Sequence, residues 1–108
     1  METLQDEIQL ETAISNSTIL VIQYGSAICG PCHAIRQKLE IWNQQADYAH
    51  LLYIPLDRFP ALAAQAGIFT VPAIQVYIRG KLFLQESGYF SLEDILNKIQ
   101  SYWDLYLS

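Results

Sequence analysis

Residues 19–35 read ILVIQYGSAICGPCHAI, and the order of signals in that stretch decides the fold. Ile19-Leu20-Val21-Ile22 is a continuous apolar run, which fits a strand buried on both faces. Beyond Cys32, the apolar residues Ala34, Ile35, Leu39, Trp42 and Ala46 recur at helical spacing, which predicts a helix of about four turns starting at the cysteines. A buried strand that feeds through a short loop into a helix places Cys29 at the helix N-terminus. There, unpaired backbone N–H groups and the positive end of the helix dipole favour an anion.

Cys29 and Cys32 are the only cysteines in the chain, and His33 follows them directly. Three chemistries share this pattern: a redox pair, a c-type haem attachment site and half of a zinc site. Haem attachment belongs to an exported compartment, and Met1, the only methionine, is a poor second axial ligand. A structural zinc site takes four ligands, whereas Cys29, Cys32 and His33 can recruit only His50. The redox reading asks least of the sequence. A Cys29 thiolate is favoured by its position, below the free thiol value of about 8.5. Cysteines three apart at a helix start can meet the Cα spacing of roughly 5.5 Å that a disulfide requires. Cys29 then attacks a substrate disulfide and Cys32 resolves the mixed disulfide, with no metal and no bound cofactor. Gly30 lets substrate backbone come close and Pro31 stiffens the turn. His33 is read as a partly exposed helix residue whose imidazolium would favour the Cys29 thiolate.

The length of 108 residues fits one domain spanning 1–108, and a composition that is 52% hydrophobic argues for a folded core over disorder. The opening METLQDEIQLET carries four acids and no basic residue, so no secretory signal is expected, and no apolar run is long enough to span a bilayer. A cytoplasmic monomer without membrane contact is the expectation. In a reducing compartment the cysteine pair is expected to cycle instead of serving as a permanent staple. The formal charge is −5, and the six basic residues scattered from Arg36 to Lys98 form no stripe for phosphates, which argues against a nucleic-acid partner.

The stretch to Ile14 is read as a helix with Leu4, Ile8 and Ile14 inward, broken at Ser15-Asn16-Ser17. Leu51–Leu56 is a second strand, and Pro60–Ala66 a short helix ended by Gly67. Ala73–Ile78 and Leu82–Glu86 form a hairpin around Arg79-Gly80. Ser91 with Asp94 opens a final helix carrying Leu92, Ile95, Leu96, Ile99, Tyr102, Trp103 and Tyr106 on one face. The fold class is α/β.

Several separated features resemble the thioredoxin family: CGPC after an apolar strand, Val71-Pro72 leading the third strand, Gly80 in the hairpin and Gly88 after the fourth strand. The resemblance covers most of the chain from Ile19 onward. It implies a thioredoxin-like fold and a protein-disulfide reductase in cell redox homeostasis. Disulfide-containing proteins are then the substrates, and NADPH supplies electrons through a thioredoxin reductase. It also implies a cis bond before Pro72, main-chain docking of extended substrate at Val71, and an apolar rim of Ile28, Gly30, Pro31, Thr70, Gly88 and Tyr89. A redox-switchable binding module on the same scaffold is the rival reading.

The chain departs from that pattern in places. Ile28 stands where the family has tryptophan, and Gln37 where it has a proline in the long helix. Gln23 replaces a buried aspartate and Tyr53 its lysine companion, so no carboxylate is available to shuttle a proton for Cys32; a slower resolving step and a simpler pH profile are expected. The usual first strand is also missing from this reading. The expected sheet therefore has four strands in the order Leu51–Leu56, Ile19–Gln23, Ala73–Ile78, Leu82–Glu86, with Leu51–Leu56 as an edge that tolerates Pro55.

Overall fold

The computed structural model describes residues 1–108 and runs β1 (Glu2–Thr3), α1 (Glu7–Asn16), β2 (Ile19–Gly25), α2 (Gly30–Asn43), β3 (Ala49–Pro55), α3 (Pro60–Gln65), β4 (Ala73–Ile78), β5 (Lys81–Ser87), α4 (Leu92–Tyr102) and a terminal π-helical turn, Trp103–Leu107. The sheet order is β1-β3-β2-β4-β5. β3 lies parallel to both β1 and β2, while β4 is antiparallel to β2 and β5. The expected order of the four longer strands is the observed one.

All seven residues of β2 are buried, as its unbroken apolar run requires of a central strand. Because side chains alternate across a sheet, the strand feeds two cores. Leu20, Ile22 and Tyr24 pack with Leu52, Ile54, Ala63, Ile68 and Ala73 on the α1/α3 face. Ile19 and Val21 pack with Leu39, Leu51, Ile74, Val76, Ile95 and Ile99 on the α2/α4 face. At the β4–β5 hairpin, Ile78 pairs with Lys81 and the two turn residues Arg79 and Gly80 have φ of 50° and 81°. Positive φ at both central residues is what a tight hairpin turn matching the sheet twist demands.

The four-strand expectation is corrected by β1. It is only two residues long, pairs with Leu52 and Tyr53, and is extended by the Leu4 amide donating to the Tyr53 carbonyl at 2.8 Å. Leu4, fully buried, drives the pairing by reaching the α1/α3 core from this extended segment and not from a helix. α1 begins later, at an Asp6 cap whose carboxylate accepts the Gln9 amide at 2.8 Å. Its inward residues are Leu10, Ala13 and Ile14, so Ile8, expected inside, is 72% exposed. Pro55 survives the correction. The Leu56 amide donates inward to the Gly25 carbonyl at 2.8 Å, so alternation points the nitrogen of Pro55 outward, beyond the reach of β1.

The last helix also departs from expectation. Ser91 caps it by accepting the Asp94 amide at 3.1 Å, and Ile95 and Ile99 are buried as expected. From Trp103 the turn widens to i→i+5 spacing, sealed by Ser108 N–H donating to the Trp103 carbonyl at 2.8 Å. That wider turn brings Leu107 against the α2/α4 core and leaves Tyr106 exposed, off the face its helical spacing assigned.

β1 is stapled to its neighbours by His50, whose Nε2–H donates to the Glu2 carboxylate at 2.8 Å while Nδ1 meets the Ser17 hydroxyl at 3.1 Å. Both Glu2 and His50 are partly exposed, so the staple is weak. His50→Ala is expected to cost about 1 kcal/mol or less and to accelerate hydrogen exchange at the Leu4 amide; unchanged Leu4 exchange would show that β1 holds without it.

Tyr24 is buried, donates to Gln75 Oε1 at 3.0 Å, and its phenol is pushed up to about 12 by burial and by the nearby Tyr77. In the unfolded chain it ionises near 10. Its contribution is therefore complete below pH about 10 and is lost as pH rises to about 12, on the order of 2 kcal/mol. Urea midpoints at pH 8 and pH 11 should show a large drop that Tyr24→Phe reduces, at a cost of about 1 kcal/mol at pH 8 from the stranded Gln75 acceptor.

Candidate active site at the start of α2

The loop after β2 ends at Cys29, which is the N-cap of α2. Its sulfur accepts the Cys32 amide at 3.2 Å, the bond that a serine or aspartate hydroxyl or carboxylate supplies at ordinary helix starts. Pro31 occupies the first turn, where its missing N–H removes no helical bond. Cys29 and Cys32 form a disulfide with a Cα separation of 5.3 Å. Their environments differ: Cys29 is partly exposed, while Cys32 is only 2% exposed. An incoming sulfur therefore reaches Cys29 and not Cys32.

Beneath the pair, Gln23 is completely buried in β2. Its side-chain Nε2 donates to the Cys32 carbonyl at 2.8 Å, and its Oε1 has no donor in the protein. Beside it in register is Tyr53 of β3. The Tyr53 ring lies so close over Gly25 that a Cβ there would stand 2.7 Å from the phenol oxygen, so any larger residue at the end of β2 requires the Tyr53 ring to move. Arg36 of α2 covers the same ring at 4.6 Å. Burial pushes the Tyr53 phenol up, partly offset by Arg36. A neutral amide thus lies under the disulfide, with a neutral phenol on the neighbouring strand.

His33 is exposed on the first turn of α2, and its Nε2–H donates to the Ala27 carbonyl at 3.1 Å, tying the loop that presents Ile28. The peptide bond between Val71 and Pro72 is cis. A pocket of about 270 Å³ is lined by Pro31, Val71, Pro72, Gly88 and Tyr89, with the Gly88 amide donating to the Pro72 carbonyl at 2.9 Å. Sequence residues far apart are thereby brought to one place. Gly30 and Thr70 are exposed, Ile28 is 96% exposed and Tyr89 is fully exposed. Of the expected rim, Ile28, Gly30 and Thr70 do not line the pocket.

Phe69 escaped the reading of the sequence. It is 74% exposed on the segment that leads into Thr70, Val71 and Pro72. The available signal was an aromatic residue immediately before that tripeptide, in a segment too short and too interrupted to be a strand.

The thioredoxin family model matches residues 2–101. The thioredoxin-like protein YdfQ of Bacillus subtilis is 27% identical over 106 residues, covering 98% of this chain and 95% of that one. Thioredoxin-1 of Schizosaccharomyces pombe is 24% identical over 81 residues, 75% of this chain and 79% of that protein. Among solved structures, a mutant thioredoxin from Halobacterium salinarum superimposes with a TM-score of 0.84 at 23% identity, over 94% of this chain and 88% of its own. With a match across nearly the whole sequence and a joined cysteine pair at the helix mouth, this chain belongs to the thioredoxin family and carries that family's equipment for dithiol–disulfide exchange.

Proposed function

We propose that the protein is a protein-disulfide reductase acting in the cytoplasm as a monomer. The observation that carries this reading is the asymmetry of the pair, with Cys29 accessible and capping α2 while Cys32 is buried one turn behind. In the dithiol form the Cys29 thiolate attacks one sulfur of a substrate disulfide, breaking that bond and releasing one substrate thiolate. The other substrate sulfur is now joined to Cys29. Cys32 then attacks the Cys29 sulfur, the substrate leaves as its second thiol, and the Cys29–Cys32 disulfide remains. Two electrons have passed to the substrate. A thioredoxin reductase drawing on NADPH is the proposed source of their replacement, and the Cys29–Cys32 pair is assigned the thioredoxin-type potential of about −270 mV.

Docking is assigned to the rim. Val71 offers its main chain to an extended segment, Pro72 and Pro31 wall the pocket, and Gly88 lets the segment approach. Ile28, Thr70, Phe69 and Tyr89 supply the outer contacts. His33 holds the Ile28 loop and adds positive charge near Cys29 when protonated. The exposure of Ile28, Phe69 and Tyr89 together also supports the second reading, a binding module in which the cysteines only switch the surface.

Dithiothreitol-coupled insulin reduction separates the two. Clear turnover, abolished in Cys29→Ser and replaced in Cys32→Ser by a trapped mixed disulfide, is the expected result; absent turnover with retained partner binding favours the module. Tyr89→Ala should raise KM several-fold with kcat little changed, since it removes contact area distant from the sulfur chemistry. An unaltered KM would remove Tyr89 from the docking rim.

A further inference from the structure

We propose that Gln23 is a redox-dependent positioning residue whose side-chain carbonyl accepts a hydrogen bond from the Cys32 thiol in the dithiol form. The inference rests on the reductase reading and concerns what the buried amide does within that cycle.

The amide of Gln23 is anchored at one end only. Nε2 is committed to the Cys32 carbonyl at 2.8 Å, which fixes the amide against the first turn of α2 and fixes which end faces which way. Oε1, on the same amide carbon, is buried with no protein donor. A desolvated carbonyl without a donor is unfavourable, so native structures rarely leave one. In the disulfide form Cys32 has no proton to offer. Reduction by the dithiol of the test below adds two electrons to the pair and leaves one proton on it, as the S–H of the buried Cys32 sulfur, while the second proton goes to solvent. Cys29, at the mouth of the site, instead becomes the thiolate capped by the Cys32 amide. The Cys32 S–H is therefore the group that reduction turns into a donor beside this amide.

Two consequences follow for the cycle. The acceptor is stranded only in the disulfide form, so Gln23 shifts the equilibrium towards the dithiol. A hydrogen bond made by the neutral thiol also disfavours its ionisation. The amide cannot take the proton away, because its carbonyl accepts a hydrogen bond without becoming a base. In the resolving step the Cys32 proton must pass to the departing substrate thiolate or to water as the Cys32–Cys29 bond forms and the Cys29–substrate bond breaks. Mixed disulfides on Cys29 are accordingly long-lived, and the protein behaves as a reductant that holds its substrate before releasing it.

The direct readout is the infrared S–H stretch of reduced Cys29→Ser protein, in which Cys32 is the only thiol. A band displaced to lower frequency is expected, moving to the free-thiol position on addition of Gln23→Met. Equilibration with a dithiol of known potential should show the Cys29–Cys32 pair of Gln23→Met shifted about five- to tenfold towards disulfide, a potential lower by about 20–30 mV. Gln23→Glu, while protonated, keeps both a donor and a carbonyl and should retain the displaced band; once ionised it should speed release of a trapped mixed disulfide as pH rises. A free-thiol band in Cys29→Ser, which needs no change in the core, overturns the proposal, as do equal potentials for wild type and Gln23→Met. Wild-type insulin reduction beside a free-thiol band would remove only this role and leave the reductase reading standing.

Discussion

The bond between the Cys29 sulfur and the Cys32 amide is the contact on which the site depends. A helix begins with N–H groups that nothing inside the helix can satisfy, and most helices meet them with an oxygen. Here the acceptor is the reactive atom itself. The same geometry that ends the loop and starts α2 also holds the sulfur at the positive end of a helix of 14 residues, where negative charge is stabilised. Folding and reactivity cannot be separated at this residue. Pro31 contributes to both by taking a first-turn position that asks for no hydrogen bond and by forming one wall of the pocket.

The rest of the fold delivers that contact to a rim made from distant sequence, and its legibility varied with how local each cause was. β2, α2, β4 and the hairpin at Arg79-Gly80 were readable because runs, periods and turn residues are properties of neighbouring positions. The pairing of β1 was not. Two residues carry no period, and Glu2-Thr3 is extended because Leu4 fills a space in a core built mostly from residues beyond position 50 and because His50 reaches back across the sheet edge. The helix phase of α1 failed for the same reason: once Leu4 left the helix, the inward stripe was set by Leu10, Ala13 and Ile14. At the other end, a single widened turn exchanged Leu107 for Tyr106 on the packed face, and no count at regular helical spacing can foresee a change of spacing.

The site divides along the same line. Cys29, Cys32 and Val71-Pro72 announce themselves by residue type and order. Gln23 was visible as a departure, but its bonding was not: which atom would find a partner depends on the distance between a strand and the first turn of a helix. Tyr53 is similar. Its replacement of a lysine reads as a lost charge, yet the ring fills the space over Gly25 and receives Arg36 on its face, so the change also alters packing at the strand end.

The two faces of the sheet divide the work of the site. On the face that carries α2, Gln23 holds the Cys32 carbonyl and Tyr53 packs under Arg36. The other face supports the docking loop through a continuous polar chain, in which Tyr24 donates to Gln75, Gln75 to Gln85, and Gln85 to the Ala66 carbonyl, at 3.0, 2.9 and 2.8 Å. That chain crosses from β2 through β4 to β5 and ends on the C-terminal cap of α3, immediately before the segment bearing Phe69, Thr70 and Val71. Buried amides are costly unless both ends are satisfied, and in this chain each glutamine both accepts and donates or is solvated. Gln23 is the member of the interior with one end unmet. The amides that only hold structure are complete, while the incomplete one sits against the residue whose proton comes and goes, which is the arrangement expected if its second partner belongs to the chemistry and not to the fold.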